Sequence, residues 1–527
     1  MNGMMLSGAV RFRRLVGRAP DLFGWRLPLP SARDGALPLV IAGALGTGLG
    51  AYTVGISTLE SRWLVLLLAA ATVPFVVMIV GNLRKLLLAV LLLDVPLQID
   101  THLNFRTELA ELGALGGWNV SVTTLALLGL YALWAMELLA RRRHPVRPAI
   151  RASLPLGLYV AVAALSILVS YDLELAGVEV FLLGQMFLVY LYVVSTVRTR
   201  RDLLFVVALL VAGLAFEGLL MVLLRFGGET IRIPGLMARV DVSTAAQGNA
   251  YRLGGTIGGA NPAAAYLSLL LGPTLGILLA PLGRWYRRLA LLALGFGVLA
   301  LILTLSRGGW LAFALTASIV GGLAIRRGWL SPSVPFVAAG VAAILVFALQ
   351  DVVIARLVQD DQGSAHSRIP LMALAFRIIQ DHPLLGIGAN NFAPVMLDYV
   401  TLNFSEYGGD WLFVVHNKYL LVWAETGLVG LLAFVGFLAT TLVRGWRGWQ
   451  LGDPLLSPLA LGFTAAIAAH LLHMAVDLFS GRPQVQTLWL CAALIAVIDR
   501  LGREERRLGT DDIGADRPAG FAAEAAR

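Results

Sequence analysis

The chain has 527 residues, of which 58% are hydrophobic and only 14% are charged, and its mean hydropathy is +0.79. A soluble domain carries roughly 25% charged residues, so composition excludes an ordinary soluble fold. The single cysteine, Cys491, excludes disulfides and Cys-based metal centres, and in a membrane protein the formal charge of +9 reads as basic cytoplasmic loops, not as a nucleic-acid surface.

Residues 1–35 carry Arg11, Arg13, Arg14 and Arg18, then Pro28, Pro30, Arg33 and Asp34. The first long apolar run follows them and is long enough to span, so a cleaved signal peptide is not expected. Apolar runs predict spans near 36–57, 62–81, 84–99, 120–140, 153–171, 177–197, 202–225, 259–281, 287–306, 308–325, 333–350, 418–440, 455–477 and 485–499. That is an all-α polytopic membrane fold of about 14 transmembrane helices (12–14), because spanning backbone must satisfy its own hydrogen bonds. Residues 1–35 form a cytoplasmic segment, 36–350 about eleven spans, 351–417 a large periplasmic loop, 418–499 about three spans, and 500–527 a cytoplasmic tail. The tail from 502 on is charged and then Ala/Gly-rich, and is expected to be disordered.

Placing the N-terminus in the cytoplasm and alternating sends most of the 41 Lys and Arg to the inner side, including Arg141-Arg142-Arg143, Arg198-Thr199-Arg200-Arg201 and Arg326-Arg327. Both termini then lie in the cytoplasm. The outer face receives residues 98–119, residues 226–258, the turn at Ser306-Arg307-Gly308-Gly309, and the large loop. A loop of that length between spans calls for a function. The cytoplasmic loops hold no Gly-x-x-x-x-Gly-Lys-Ser/Thr motif, so the chain is not expected to be an ATP-driven pump.

Arginines on the outer side are the anomaly. Arg307 sits at the boundary between two apolar runs, Arg252 lies just before Ala260-Asn261-Pro262, and Arg368 stands in the large loop. Single outer arginines often snorkel to headgroups or cap helix ends. Several converging at one interface suit phosphate or pyrophosphate, which guanidinium binds in bidentate fashion without ever deprotonating. His416 opens a predicted helix beside the same surface and is a candidate general base. Asn417 and Tyr419 follow it, either orienting the base, binding sugar, or packing the helix start. His382, Gly386 and Gly388 read as loop-shaping residues. His470, His473 and Asp477 share one predicted helix face, suited to interhelical hydrogen bonds or, less well, to a metal. Asp477 could orient His416 or pair an Arg. Glu425, buried in a span, calls for a partner, an Arg being the natural one, and Glu217 could pair an outer Arg.

Leu305-Ser306-Arg307-Gly308-Gly309-Trp310 resembles the Ser-Arg-Gly motif of the O-antigen ligase and O-antigen polymerase superfamily. So do His382-Pro383-Leu384-Leu385-Gly386-Ile387-Gly388 with Asn391-Phe392, His416-Asn417-Lys418-Tyr419-Leu420, and Ala424-Glu425-Thr426-Gly427-Leu428-Val429-Gly430. Arg252 and Asn261-Pro262 are similar to that family's upstream segment. The resemblance covers roughly residues 200–480. It implies transfer of a glycan from an undecaprenyl pyrophosphate carrier to a sugar hydroxyl at the periplasmic face of the bacterial inner membrane, with the bilayer as partner and with neither metal nor nucleotide. The acceptor is lipid A core for a ligase and a growing repeat-unit chain for a polymerase; a protein-glycosylating relative shares the chemistry. On this reading Arg307 and Arg252, with Arg368 third, stabilise the leaving pyrophosphate. His416 takes the hydroxyl proton, and Asn417, Tyr419 and Asp477 bind or orient. The competing class is a flippase for the same lipid-linked glycan; repeated halves and broken mid-membrane helices would mark it, and no internal repeat of useful strength is seen.

Overall fold

The computed structural model describes residues 82–139, 146–227, 231–232, 239–240, 242–243, 252–348, 350, 368–400 and 412–515. The expected spans at 36–57 and 62–81 lie outside them. The chain divides into two compact units, 1–87 with 234–236, and 88–233 with 237–527. Of the first, the described residues are only the start of helix α1, Leu83–Leu97; all that follows concerns the second.

Among the described residues the fold is helical, including the short helix α2 (Thr107–Glu111), with three small two-stranded sheets. Ten helices are long and apolar enough to cross a membrane, and the protein is a multi-pass membrane protein. In chain order they are α3 (Val122–Leu139), α4 (Ile150–Leu165, extended by a 3₁₀ turn), α5 (Leu173–Thr196), α6 (Arg200–Gly227), α7 (Ala260–Leu279), α8 (Arg284–Leu303), α9 (Arg307–Arg326), α13 (Lys418–Trp449), α14 (Leu456–His473) and α15 (Arg482–Ala515). The expected spans at 84–99 and 333–350 appear as α1 and α10 (Val334–Ala348), each a 15-residue helix. At about 1.5 Å per residue, 15 residues fall short of a hydrocarbon core about 30 Å thick.

Small residues set the closest helix crossings. A Cβ on Gly272 of α7 would lie 2.4 Å from the Gly462 carbonyl oxygen of α14, and a Cβ on Gly462 would lie 2.3 Å from that of Gly272. Membrane helices gain no hydrophobic drive from lipid, so such close backbone approach carries their packing. The spanning part of helix α15 is almost entirely buried. The helix runs well past the expected end of the last span, through Ala515. Salt bridges from Arg503 to Asp499 and from Arg500 to Glu504, each one turn apart, lie where this extension, which composition marked as disordered, begins.

The long segment after α10 is not an open loop where it is described. Residues 368–399 form α11 (Arg368–Asp381) and α12 (Phe392–Tyr399). Their apolar faces, with Leu374, Ile378, Phe392 and Met396, bury a core together with Leu421 and Ala424 of α13. The segment between them interlocks with a break in α13. Gly427 there has φ 68° and ψ −176°, outside the helical region. The amides of Ile387 and Gly388 donate to the carbonyls of Ala424 and Glu425 at 3.0 and 2.9 Å, and the Leu428 amide donates to the Pro383 carbonyl at 2.9 Å. The backbone groups freed by the break are thereby paired, as burial demands. His382 is exposed, its carbonyl accepting from the Gly386 amide.

Candidate functional site

The chain reverses direction at each helix, so α4, α6, α8 and α14 end, and α5, α7, α9, α13 and α15 begin, at one end of the bundle. The segments joining them there are tied to one another. The Val414 amide donates to the Leu112 carbonyl at 2.9 Å, the Tyr171 amide to the Ile387 carbonyl at 3.3 Å, and the Lys418 amide to the Met474 carbonyl at 2.8 Å. At the opposite end lie Arg200, paired with Asp453 and Glu505, and Arg327, stacked over Trp449 at 4.9 Å.

A cavity of about 460 Å³ opens at the first end. His416, Asp477, Asn261 and Arg482 line it, together with a short antiparallel hairpin, β1 (Asp100–Leu103) and β2 (Trp118–Ser121). His416 is 9% exposed. Its Nδ1 lies 3.1 Å from the Val414 carbonyl oxygen. A carbonyl only accepts, so Nδ1 carries the proton and Nε2 is the basic nitrogen. Burial pulls the His416 imidazole below its ordinary value; the Asp477 carboxylate opposes this, and the Arg368 guanidinium adds to it. Asp477 therefore acts on His416 through charge. It stands beyond the end of α14, which closes at His473, so it does not share a helical face with His470 and His473 as expected.

Arg252 joins two motifs. Its Nη2 donates to Asn261 Oδ1 at 2.6 Å, and its Nε donates to the Thr304 carbonyl at 3.1 Å, just ahead of the Ser306-Arg307-Gly308 turn. Ser306 is the N-cap of α9, its Oγ accepting from the Gly309 amide at 3.4 Å. Arg307 is thus the first residue of a helix, where the dipole adds positive potential. The missing Cβ of Gly308 makes room for His473, whose ring would lie 2.6 Å from it. Glycine in this motif brings α9 against α14.

Other expectations fare differently. Asn417 is the N-cap of α13, its Oδ1 accepting from the Tyr419 and Leu420 amides at 3.0 and 3.1 Å. Tyr419 Oη donates to the Leu471 carbonyl at 2.8 Å. Neither side chain lines the cavity. His470 and His473 pack edge-to-face at 6.0 Å and both meet Phe479. Their Nδ1 atoms are buried without a hydrogen-bond partner among the described residues, so the expected interhelical bonds are not formed there. Among the described residues Glu425 pairs no arginine: its Oε1 accepts from the Phe392 amide at 3.2 Å, and a cation acting on it is Lys418. Glu217 likewise accepts from Thr256, at 2.9 Å from the amide and 2.6 Å from the hydroxyl.

Residues 289–435 match the family model described as O-antigen ligase. This stretch is similar to O-antigen ligases. The match supports the O-antigen ligase superfamily and, with it, a glycosyltransferase of ligase or polymerase type. A comparison with curated proteins finds no match. Arg307, Arg368 and His416 fall inside the matched stretch, whereas Arg252, Asn261 and Asp477 come from flanking segments that the fold brings to the same end.

Sequence reasoning missed Arg482. It opens α15 and is 3% exposed. Nη1 donates to Asp94 at 2.8 Å and Nε to Asp100 at 3.2 Å. An arginine opening an apolar run, with Asp94 set in a distant one, was the available signal; nothing in the spacing paired them.

Proposed function

We propose that this protein transfers a glycan from an undecaprenyl pyrophosphate carrier to a sugar hydroxyl at the periplasmic face of the inner membrane, both termini being cytoplasmic. One observation carries this reading: a cavity next to a tautomer-fixed, buried histidine, in an O-antigen ligase-type chain whose Arg252, Arg307 and Arg368 gather at the same end of the bundle. The acceptor hydroxyl oxygen attacks the anomeric carbon and forms the new glycosidic bond. The bond from that carbon to the pyrophosphate oxygen breaks, and its electron pair leaves with the carrier. His416 Nε2 receives the hydroxyl proton as general base. Arg252 and Arg307 stabilise the charge growing on the pyrophosphate, helped by the α9 N-terminus, and Arg368 binds the donor. Asp477 tunes His416.

Purified protein in lipid, supplied with a pyrophosphate-linked repeat-unit donor, tests this by gel analysis of the glycan. His416→Ala is expected to lower the rate by about 10²–10⁴-fold, and Arg307→Ala by about 10²–10³-fold, both at unchanged melting temperature. A ladder of lengths would mark a polymerase, and a single shift on an added acceptor a ligase. Donor crossing the bilayer of proteoliposomes without product would replace the reading with a flippase.

A further inference from the structure

Beyond His416 and Asp477, the cavity has a further wall, consisting of the β1–β2 hairpin and the start of α15; Arg252, Arg307 and Arg368 do not line it, and its one arginine is Arg482. Asp100 Oδ2 accepts from Asn119 Nδ2 at 2.9 Å and from Arg482 Nε at 3.2 Å. Arg482 is flanked by two carboxylates, Asp94 and Asp100, so this wall carries no net positive charge and does not suit pyrophosphate. Two of its polar atoms are orphans. Asn119 Oδ1 and Arg482 Nη2 are buried and have no hydrogen-bond partner among the described residues. The two residues are 8% and 3% exposed, and both line the cavity. Leaving buried polar atoms unpaired is unfavourable unless a ligand completes them. One orphan is an acceptor and the other a donor, which is the pairing a hydroxyl group satisfies with its O–H and its lone pairs. Phe105, Phe413 and Phe479 line the same cavity; their apolar faces suit the C–H faces of a pyranose ring.

We propose that this wall is a glycan subsite: Asn119 Oδ1 and Arg482 Nη2 clamp a sugar hydroxyl, with Asp100 holding both side chains in place. The proposal rests on the transferase reading and names the part of its substrate that this wall recognises. It makes the hairpin, which lies outside the matched stretch, a determinant of sugar specificity.

Full-length protein in lipid nanodiscs would be titrated by native mass spectrometry with two probes. One is glycan released by mild acid from the lipid-linked glycans that accumulate in a strain lacking this chain; the other is undecaprenyl pyrophosphate alone. Wild type is expected to bind both. Asn119→Ala should weaken glycan binding about tenfold or more and leave carrier binding and melting temperature in place, while Arg252→Ala should do the reverse. Glycan binding by Asn119→Ala equal to wild type overturns the proposal. Should Asn119→Ala lower the melting temperature, Phe105→Ala decides, since that side chain is half exposed and removable without harm to the core. A loss of about threefold or more supports the subsite, and no change overturns it. Wild type binding carrier alone sinks the subsite and leaves the transferase reading standing; wild type binding neither probe sinks both.

Discussion

His416 shows how a single side chain can be set for its task by three surroundings at once. Burial lowers its pKa, Asp477 raises it and Arg368 lowers it, the net direction being down from 6.5. A general base works in its neutral form, so kcat/KM should stay flat as pH falls from 8 to 6.5 and drop only in more acidic solution. The two charges then give opposite tests. Asp477→Asn removes the upward pull, so the acidic limb should move to lower pH; Arg368→Gln removes a downward push, so the limb should move to higher pH. If Asp477 merely shaped its turn, where its Oδ1 accepts from the Leu478 amide, the substitution would leave the limb where it is. Asn417 is separable from this chemistry. Its loss in Asn417→Ala should cost about 1 kcal/mol as a missing helix cap, seen as a lower melting temperature with an unshifted pH profile.

Two motifs that read as separate in the sequence are one structural device. The Pro383–Gly388 turn and the Glu425-Thr426-Gly427 break in α13 pair each other's backbone groups, and the glycines mark where chains touch. A Cβ on Gly427 would lie 2.0 Å from the Leu384 carbonyl oxygen, and φ is +68°. Gly427→Ala should therefore be destabilising by more than the roughly 1–3 kcal/mol of the backbone strain alone, and should loosen α12 and the His416 turn with it. Gly436→Ala, in the same helix with open space around its Cβ position, should be neutral or better. Limited proteolysis of the 380–400 segment in the two variants compares them directly. The helices themselves were legible because apolar runs of spanning length are a strong signal, and the role of His382 and the Gly386/Gly388 pair in shaping a turn was legible from glycine chemistry. The helical state of 368–399 was not. Its hydrophobic pattern is short, and what orders it is burial against α13, a partner that no local window contains.

Two segments far apart in the sequence meet at one buried ion pair. Asp94 of α1 and Arg482 of α15 have side chains 1% and 2% exposed and lie 2.8 Å apart. Arg482 also reaches Thr123 of α3 at 3.3 Å and Gln486 at 3.4 Å. This pairing spans most of the chain and ties the hairpin wall of the cavity to the bundle's central helix. It explains why the sequence exposed the arginines of the ligase motifs and hid this one: motif arginines announce themselves by their neighbours, whereas Arg482 and Asp94 are each unremarked singletons whose meaning is their contact. Removing one partner leaves an uncompensated buried charge, which typically costs about 3–5 kcal/mol, while replacing both with well-packed apolar groups is often near neutral. Arg482→Met should accordingly lower the melting temperature more than the Arg482→Met/Asp94→Leu double variant does, with the difference measuring the stranded Asp94. Asp100 stays in the double variant, now held by Asn119 alone. That variant should recover stability without recovering glycan binding, because the fold needs the charges balanced while the proposed subsite needs Nη2 itself. Melting and binding measured on the same two variants separate the pair's structural part from its part in recognition. Recovery of both together would mean that Arg482 serves the fold and nothing else.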